Sequence, residues 1–280
     1  MERKLVRQGR EALTVTLPSK WLKDKGLKVG NSVYIDIEKN DLVVRSREHA
    51  AEFKETTINV VDNERSMIWH KVLSKYISGY DKITVIHNNP HVTQEFASRI
   101  VGMIVEEQTN TKTVLKTLIT IPENNIELII RRIVHMFEYQ ASMLLNVTIG
   151  KSTSKDVNDY GILLDANINY CLRYINKYNL KTDSYKQFLI CSTIEQAGDI
   201  VIILSKYLGK NSSHKKIASI IYDNVKLYNK YFFANDFAKL YSSLRNFRNN
   251  LPQKTFVDGL SFQLAELLYN NLGYLTDKNN

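Results

Sequence analysis

Cations crowd one end of this chain. Arg3, Lys4, Arg7 and Arg10 precede the stretch Thr14-Val15-Thr16-Leu17-Pro18, and Lys20 and Lys23 follow it. Residues 1–47 hold 11 Lys and Arg against 6 Asp and Glu, while the remaining 233 residues hold 27 against 23. Such a set can neutralise phosphates and release counterions, and its arginines can reach guanine edges in a major groove. An anionic partner such as nucleic acid fits this density of charge. A solvated face that only keeps a small module soluble fits it too, and charge alone leaves both readings open.

A second group is acidic. Glu195 and Asp199 stand four apart, on one face of a helix, with Ile194, Ala197 and Ile200 to Leu204 around them. Like charges at that spacing repel, and apolar flanks make an unpaired pair costly. A hard or intermediate cation would resolve the repulsion, and so would an ion pair to a neighbour such as Arg173. The ion pair is the favoured reading. Arg131-Arg132 could likewise grip an anion, although straddling the edge of a helical layer is the simpler role.

Enzymatic signatures are missing. His87 and His91 are four apart, but Asn88-Asn89-Pro90 between them prevents one helix from presenting both. The sequence contains no H-E-x-x-H, no G-x-S-x-G elbow and no glycine-rich phosphate loop at a strand–helix junction. The expectation is a protein that is not an enzyme. Cys171 and Cys191, the two cysteines, are too few for a disulfide framework and read as small apolar side chains. The start Met-Glu-Arg-Lys has no apolar h-region, and the longest aliphatic run, Ile200 to Leu204, is far short of a bilayer span. No membrane insertion and a cytoplasmic location are expected.

The elements that would position these groups follow from periodicity. Two short strands are expected at about 3–8 and 11–17, turning at Gln8-Gly9-Arg10. Pro18 suits the first turn of a short helix that carries Trp21 and Leu22 inward, Lys20 and Lys23 outward, and stops at Gly26. Val33, Ile35 and Ile37 alternate with polar residues as a half-buried strand, and after a turn at Lys39-Asn40-Asp41, Leu42 to Val44 make a fourth. So few residues make too little core to stand alone, and pairing with a second copy is the usual remedy. Next come a strand at 57–61, a helix over 64–78 capped by Asp62 or Asn63, a strand at 82–86, a helix at about 91–103 and a strand at 113–119: a small α/β layer. Pro122 then opens a series of long helices, the first to about 146, then about 155–179, 184–209, 212–233, 236–249 and 255–271. Short polar breaks between them imply an antiparallel bundle.

The pattern LTVTLPSKWLKDKGLKVGNSVYIDI followed by LVVRS resembles the AbrB/MazE/SpoVT swapped-hairpin DNA-binding domain over about residues 1–47. The resemblance implies an intertwined homodimer that binds DNA through Arg3, Lys4, Arg7, Arg10, Lys20 and Lys23. The segment Glu195-Gln196-Ala197-Gly198-Asp199, with Asp165 to Asn169 one helix earlier, is similar to the acidic helices of archaeal PhoU-like phosphate regulators. Tyr76 to Val85 and Ile100 to Glu107 also look like theirs. That family can bind metal through such motifs, which would make Asp165, Glu195 and Asp199 ligands here. This chain departs from the pattern at Asn169, where one carboxylate is lost, and at Phe262, which leaves Asp258 without a second acid. No other cofactor is implied.

The expected fold class is therefore α+β and multidomain. A dimeric swapped-hairpin β-barrel would occupy 1–48, a small α/β segment 49–121, and a PhoU-like antiparallel helical bundle 122–280. The expected function is a homodimeric DNA-binding transcriptional regulator, with phosphate uptake as the subject implied by the resemblance. The alternative is an interaction protein acting on a phosphate transporter or signalling kinase, with the N-terminal segment serving dimerisation only. A third possibility, an antitoxin-like role, sits badly with a long structured C-terminus.

Overall fold

The computed structural model describes residues 2–9, 12–38, 41–46, 53–97, 99–118, 126–178, 184–251 and 254–270. Arg10, the Lys39-Asn40 turn, Ile119, Pro122 and the Lys181-Thr182-Asp183 break lie outside the described residues. The chain is an α+β protein, mostly helical with small sheets, and divides into two compact units, residues 1–52 and 53–280.

The first unit holds β1 (Val6–Gln8) and β2 (Ala12–Thr14), then α1 (Ser19–Asp24), then β3 (Tyr34–Glu38) and β4 (Asp41–Arg45). Each strand pair is an antiparallel two-stranded sheet, and within one chain the described residues close no barrel. The first strands are shorter than expected. Pro18 is not inside the helix; it caps it from extended backbone (φ −62°, ψ 126°), and its carbonyl accepts from Leu22 N–H at 3.1 Å. Gly26, at φ +65°, ends the helix as expected. The reason is a left-handed stop: Leu27 N–H bonds back to the Leu22 carbonyl and Gly26 N–H to that of Lys23. No residue of α1 is buried, and Trp21 and Leu22 are only half-covered.

The second unit opens with β5 (Glu55–Asn59), α2 (Arg65–Ile77), β6 (Lys82–Ile86), α3 (Pro90–Ala97), β7 (Met103–Gln108) and β8 (Lys112–Thr117). The sheet order is β5-β6-β8-β7, with β5 parallel to β6 and the other pairs antiparallel. Two expectations are corrected here. Strand β7 replaces the tail of a helix expected to reach 103, because Gly102 takes φ +80° and turns the chain back against β8. A bulge at Val105/Glu107 interrupts its alternation, which hides it from a period-of-two reading. The α2 cap position belongs to Glu64 without a side-chain bond; Asp62 accepts from Asn88 instead and Asn63 from Lys71. Ile68, Val72 and Tyr76 of α2 pack with Ile83, Val85, Phe96 and Leu115 into one small core.

Six helices follow: α4 (Ile126–Thr148), α5 (Ser154–Tyr178), α6 (Ser184–Tyr207), α7 (Ser212–Phe233), α8 (Phe237–Asn250) and α9 (Phe256–Asn270). Their ends are set locally. Thr153 and Asp156 exchange backbone bonds across the first turn of α5, and Thr255 and Asp258 do the same for α9. Asn211 caps α7 and Asp236 caps α8. Helix α4 packs on α5, α6 and α7, and α6 also meets α9. The shared core includes Ile133, Phe137, Leu144, Leu164, Ile194, Leu204, Ile221 and Leu264. Among the described residues α6 alone is long and apolar enough to cross a membrane, with a mean hydropathy of 1.6, yet 56% of that window is buried against its neighbours. A helix apolar on most sides is what the middle of a bundle requires.

Candidate nucleic-acid interface and acid cluster

Arg3 and Lys4 lie in exposed chain just before β1, and Lys20 and Lys23 are exposed on α1. The register β1–β2 pairs Arg7 with Leu13, so these two share one face of the hairpin, while Val6, Gln8, Ala12 and Thr14 share the other. The cations of this unit are thus spread over a hairpin and a helix. The apolar residues of the same unit are uncovered. Leu13 is 61% exposed, Ile35 57%, Ile37 80% and Leu42 59%. A unit whose strands leave their apolar side chains in water has not completed its core within one chain.

The acid cluster is a different kind of site. Asp165 on α5 and Glu195 and Asp199 on α6 lie close enough to raise one another's proton affinity. Burial, then the charges of Asp199 and Glu195, push the Asp165 carboxyl up to about 7. Burial and Asp199 raise Glu195, and burial raises Asp199. Among the described residues no Lys or Arg forms an ion pair with any of the three. The expected partner Arg173 is corrected: it points the other way, off the bundle and into the α/β layer. Burial and repulsion are answered instead by a raised affinity of these carboxyls for protons. Three carboxylates offer oxygen donors for a hard cation, but among the described residues no three His, Cys, Asp or Glu gather closely enough to hold one. A metal held by Asp165, Glu195 and Asp199 therefore rests on the sequence resemblance alone.

Arg173 forms the joint between sheet and bundle. Its guanidinium donates to the Tyr76 and Tyr80 carbonyls at 2.8 and 2.7 Å, and to Asp81 Oδ1 and Thr117 Oγ1 at 3.0 Å each. Lys177 also bonds Asp81, and Asp81 Oδ2 accepts from Lys54 N–H at 3.1 Å. The Arg173 side chain is 7% exposed and that of Asp81 4%. Gly79 permits the approach, since a Cβ there would sit 3.1 Å from the Lys177 Cα. Sequence reasoning missed this joint because the partners of Arg173 lie 56 to 97 residues away along the chain. The only local sign was an Arg one turn beyond Asn169, amid the apolar residues of a helix expected to pack in a bundle.

Two expectations about single residues agree with the structure. Cys171 and Cys191 are free and fully buried in the bundle core. The bond to the Cys171 thiol, together with burial, pushes the Cys191 thiol up, so it packs rather than reacts. His87 and His91 do not share a helix: His91 is exposed on α3, whereas His87 is buried beyond β6 with Nε2 2.7 Å from Thr113 Oγ1. Comparison of the chain with family models, with curated proteins and with solved structures finds no match.

Proposed function

We propose that the protein is a homodimeric DNA-binding regulator that grips duplex DNA through its N-terminal unit. The observation that carries this reading is the pairing of two features in that unit: exposed cations at Arg3, Lys4, Lys20 and Lys23, and apolar strands with nothing over them. A second copy laid on Ile35, Ile37 and Leu42 would complete the core and set two cationic faces in a two-fold relation. Burying one such side chain is worth about 1.5–3 kcal/mol. Several on each copy can therefore exceed the roughly 4–15 kcal/mol that association costs. The AbrB/MazE/SpoVT resemblance of residues 1–47 supports the same arrangement, a swapped-hairpin barrel shared by two chains. Phosphate homeostasis as the regulated subject rests on the PhoU-like resemblance alone.

Electrophoretic retardation of a mixed-sequence duplex over a salt series tests the reading. With four or five phosphate contacts from each of two copies, affinity should fall about 10³–10⁵-fold between 50 and 200 mM salt. Substituting Lys20 and Lys23 together by Ala should flatten that dependence and leave the dimer intact. Absence of retardation by the dimer at low salt sinks DNA binding, and leaves dimerisation as the unit's role.

A further inference from the structure

The first turns of α4 and α6 and the junction of α7 with α8 border a half-open cavity of about 190 Å³. Three of the groups lining it lack partners of the kind their chemistry calls for. Arg131 lies with its guanidinium 4.4 Å from the centre of the Phe233 ring and forms no ion pair among the described residues. Glu127, one turn earlier on α4, forms none either. The Oε1 atom of Gln187 is buried and accepts no hydrogen bond among the described residues. A buried acceptor left in this state is destabilising, and the cost is recovered when something in the cavity donates to it.

The three groups define the complement. Arg131 calls for an anion, and its planar fork matches a carboxylate. Glu127 and the Gln187 oxygen call for a donor, and a cationic donor suits the first of them best. Lys186, held 5.5 Å from the centre of the Phe237 ring, adds positive charge on the Arg131 side of the balance. Ile130, Ile190 and the phenylalanines supply apolar wall. The volume is below the roughly 300–1,000 Å³ of pockets for drug-sized ligands and suits a small ligand.

We propose that this cavity binds a free α-amino acid with an apolar side chain. The carboxylate meets Arg131, the ammonium meets Glu127 and the Gln187 oxygen, and the side chain lies against Ile130, Ile190 and the rings. The inference is independent of DNA binding, because it uses only residues of the second unit.

Calorimetric titration and thermal melting of the full chain with L-leucine and L-phenylalanine test it. One of the two should bind saturably and raise the melting temperature. N-acetyl-L-leucine, which lacks the ammonium, and L-leucinamide, which lacks the carboxylate, should each bind at least tenfold more weakly. Arg131→Gln should lower affinity at least tenfold with little change in unliganded stability, since Arg131 is exposed. Gln187→Leu should stabilise the unliganded chain and still weaken binding at least tenfold, a pair of effects that misfolding would not produce. No saturable binding at about 10 mM, tenfold above a millimolar Kd, overturns the proposal. So does equal binding of the blocked compounds, or binding untouched by both substitutions.

Discussion

Arg173 shows how one side chain can decide whether two layers stay together. Its guanidinium makes four hydrogen bonds and neutralises Asp81 in a place where neither charge reaches much water. Removing one partner of a buried pair costs about 3–5 kcal/mol, mostly because the other charge is stranded. Lys177 stays on Asp81, so the lower end applies here. Arg173→Ala should lower unfolding stability by about 3 kcal/mol in a denaturant titration. Arg173→Lys should recover only part of it, because an ammonium cannot span two carbonyls and a carboxylate at once. Asp165 works in the opposite sense. Its folded pKa of about 7 lies above the unfolded value, so between those values the unfolded chain releases a proton that the folded chain keeps. That contribution to stability is present in acid, falls as pH rises toward 7, and is level above it. Asp165→Asn should therefore melt like the parent near pH 4 and several degrees higher at pH 8. Equal melting at both pH values would show that the carboxyl ionises freely.

Helices α4, α5 and α6 approach one another at two glycines. A Cβ on Gly161 would meet Ile202 Cδ1 at 2.5 Å and Gln140 Nε2 at 3.0 Å, while one on Gly198 would meet Gln140 Oε1 at 3.1 Å and Leu164 Cδ2 at 3.3 Å. Gln140 is fully buried between them and donates weakly, at 3.4 Å, to the Gly198 carbonyl. Overpacking of a filled core costs about 1–3 kcal/mol. Gly161→Ala should fall in that range and exceed Gly198→Ala, as read by denaturant midpoints. The ends of α5 to α9 were legible from the 3.6-residue period and polar breaks, and α7 spans 212–233 as expected. The ends of α3 and the whole of β7 were not. Val101 and Gly102 continue an apolar helical stripe on paper, and only pairing with β8 makes the chain extend at Met103. The side-chain bonds of Asp62 and Asn63 were equally illegible, because Asn88 and Lys71, which take them, lie elsewhere in the fold.

At the scale of the whole molecule the two units differ in how complete they are. The second buries two hydrophobic cores of its own, whereas the first buries none of its described residues. Ile35→Asp with Ile37→Asp should thus convert a dimer to a monomer in sedimentation while leaving the helical signal of the second unit intact. A dimer that survives both charges would mean that the copies meet elsewhere. Sequence by itself determined the α+β class, the bundle and its helix spacing, the buried cysteines and the shortage of core at the N-terminus, because each depends on residues within a few turns of one another. Tertiary structure alone decided that Arg173 serves Asp81 rather than the acid pair, that Asp165 lies near Glu195 and Asp199, and that Arg131, Glu127 and Gln187 share a cavity. Those outcomes depend on charges and donors brought together from distant positions, where burial, not spacing, sets the free energy.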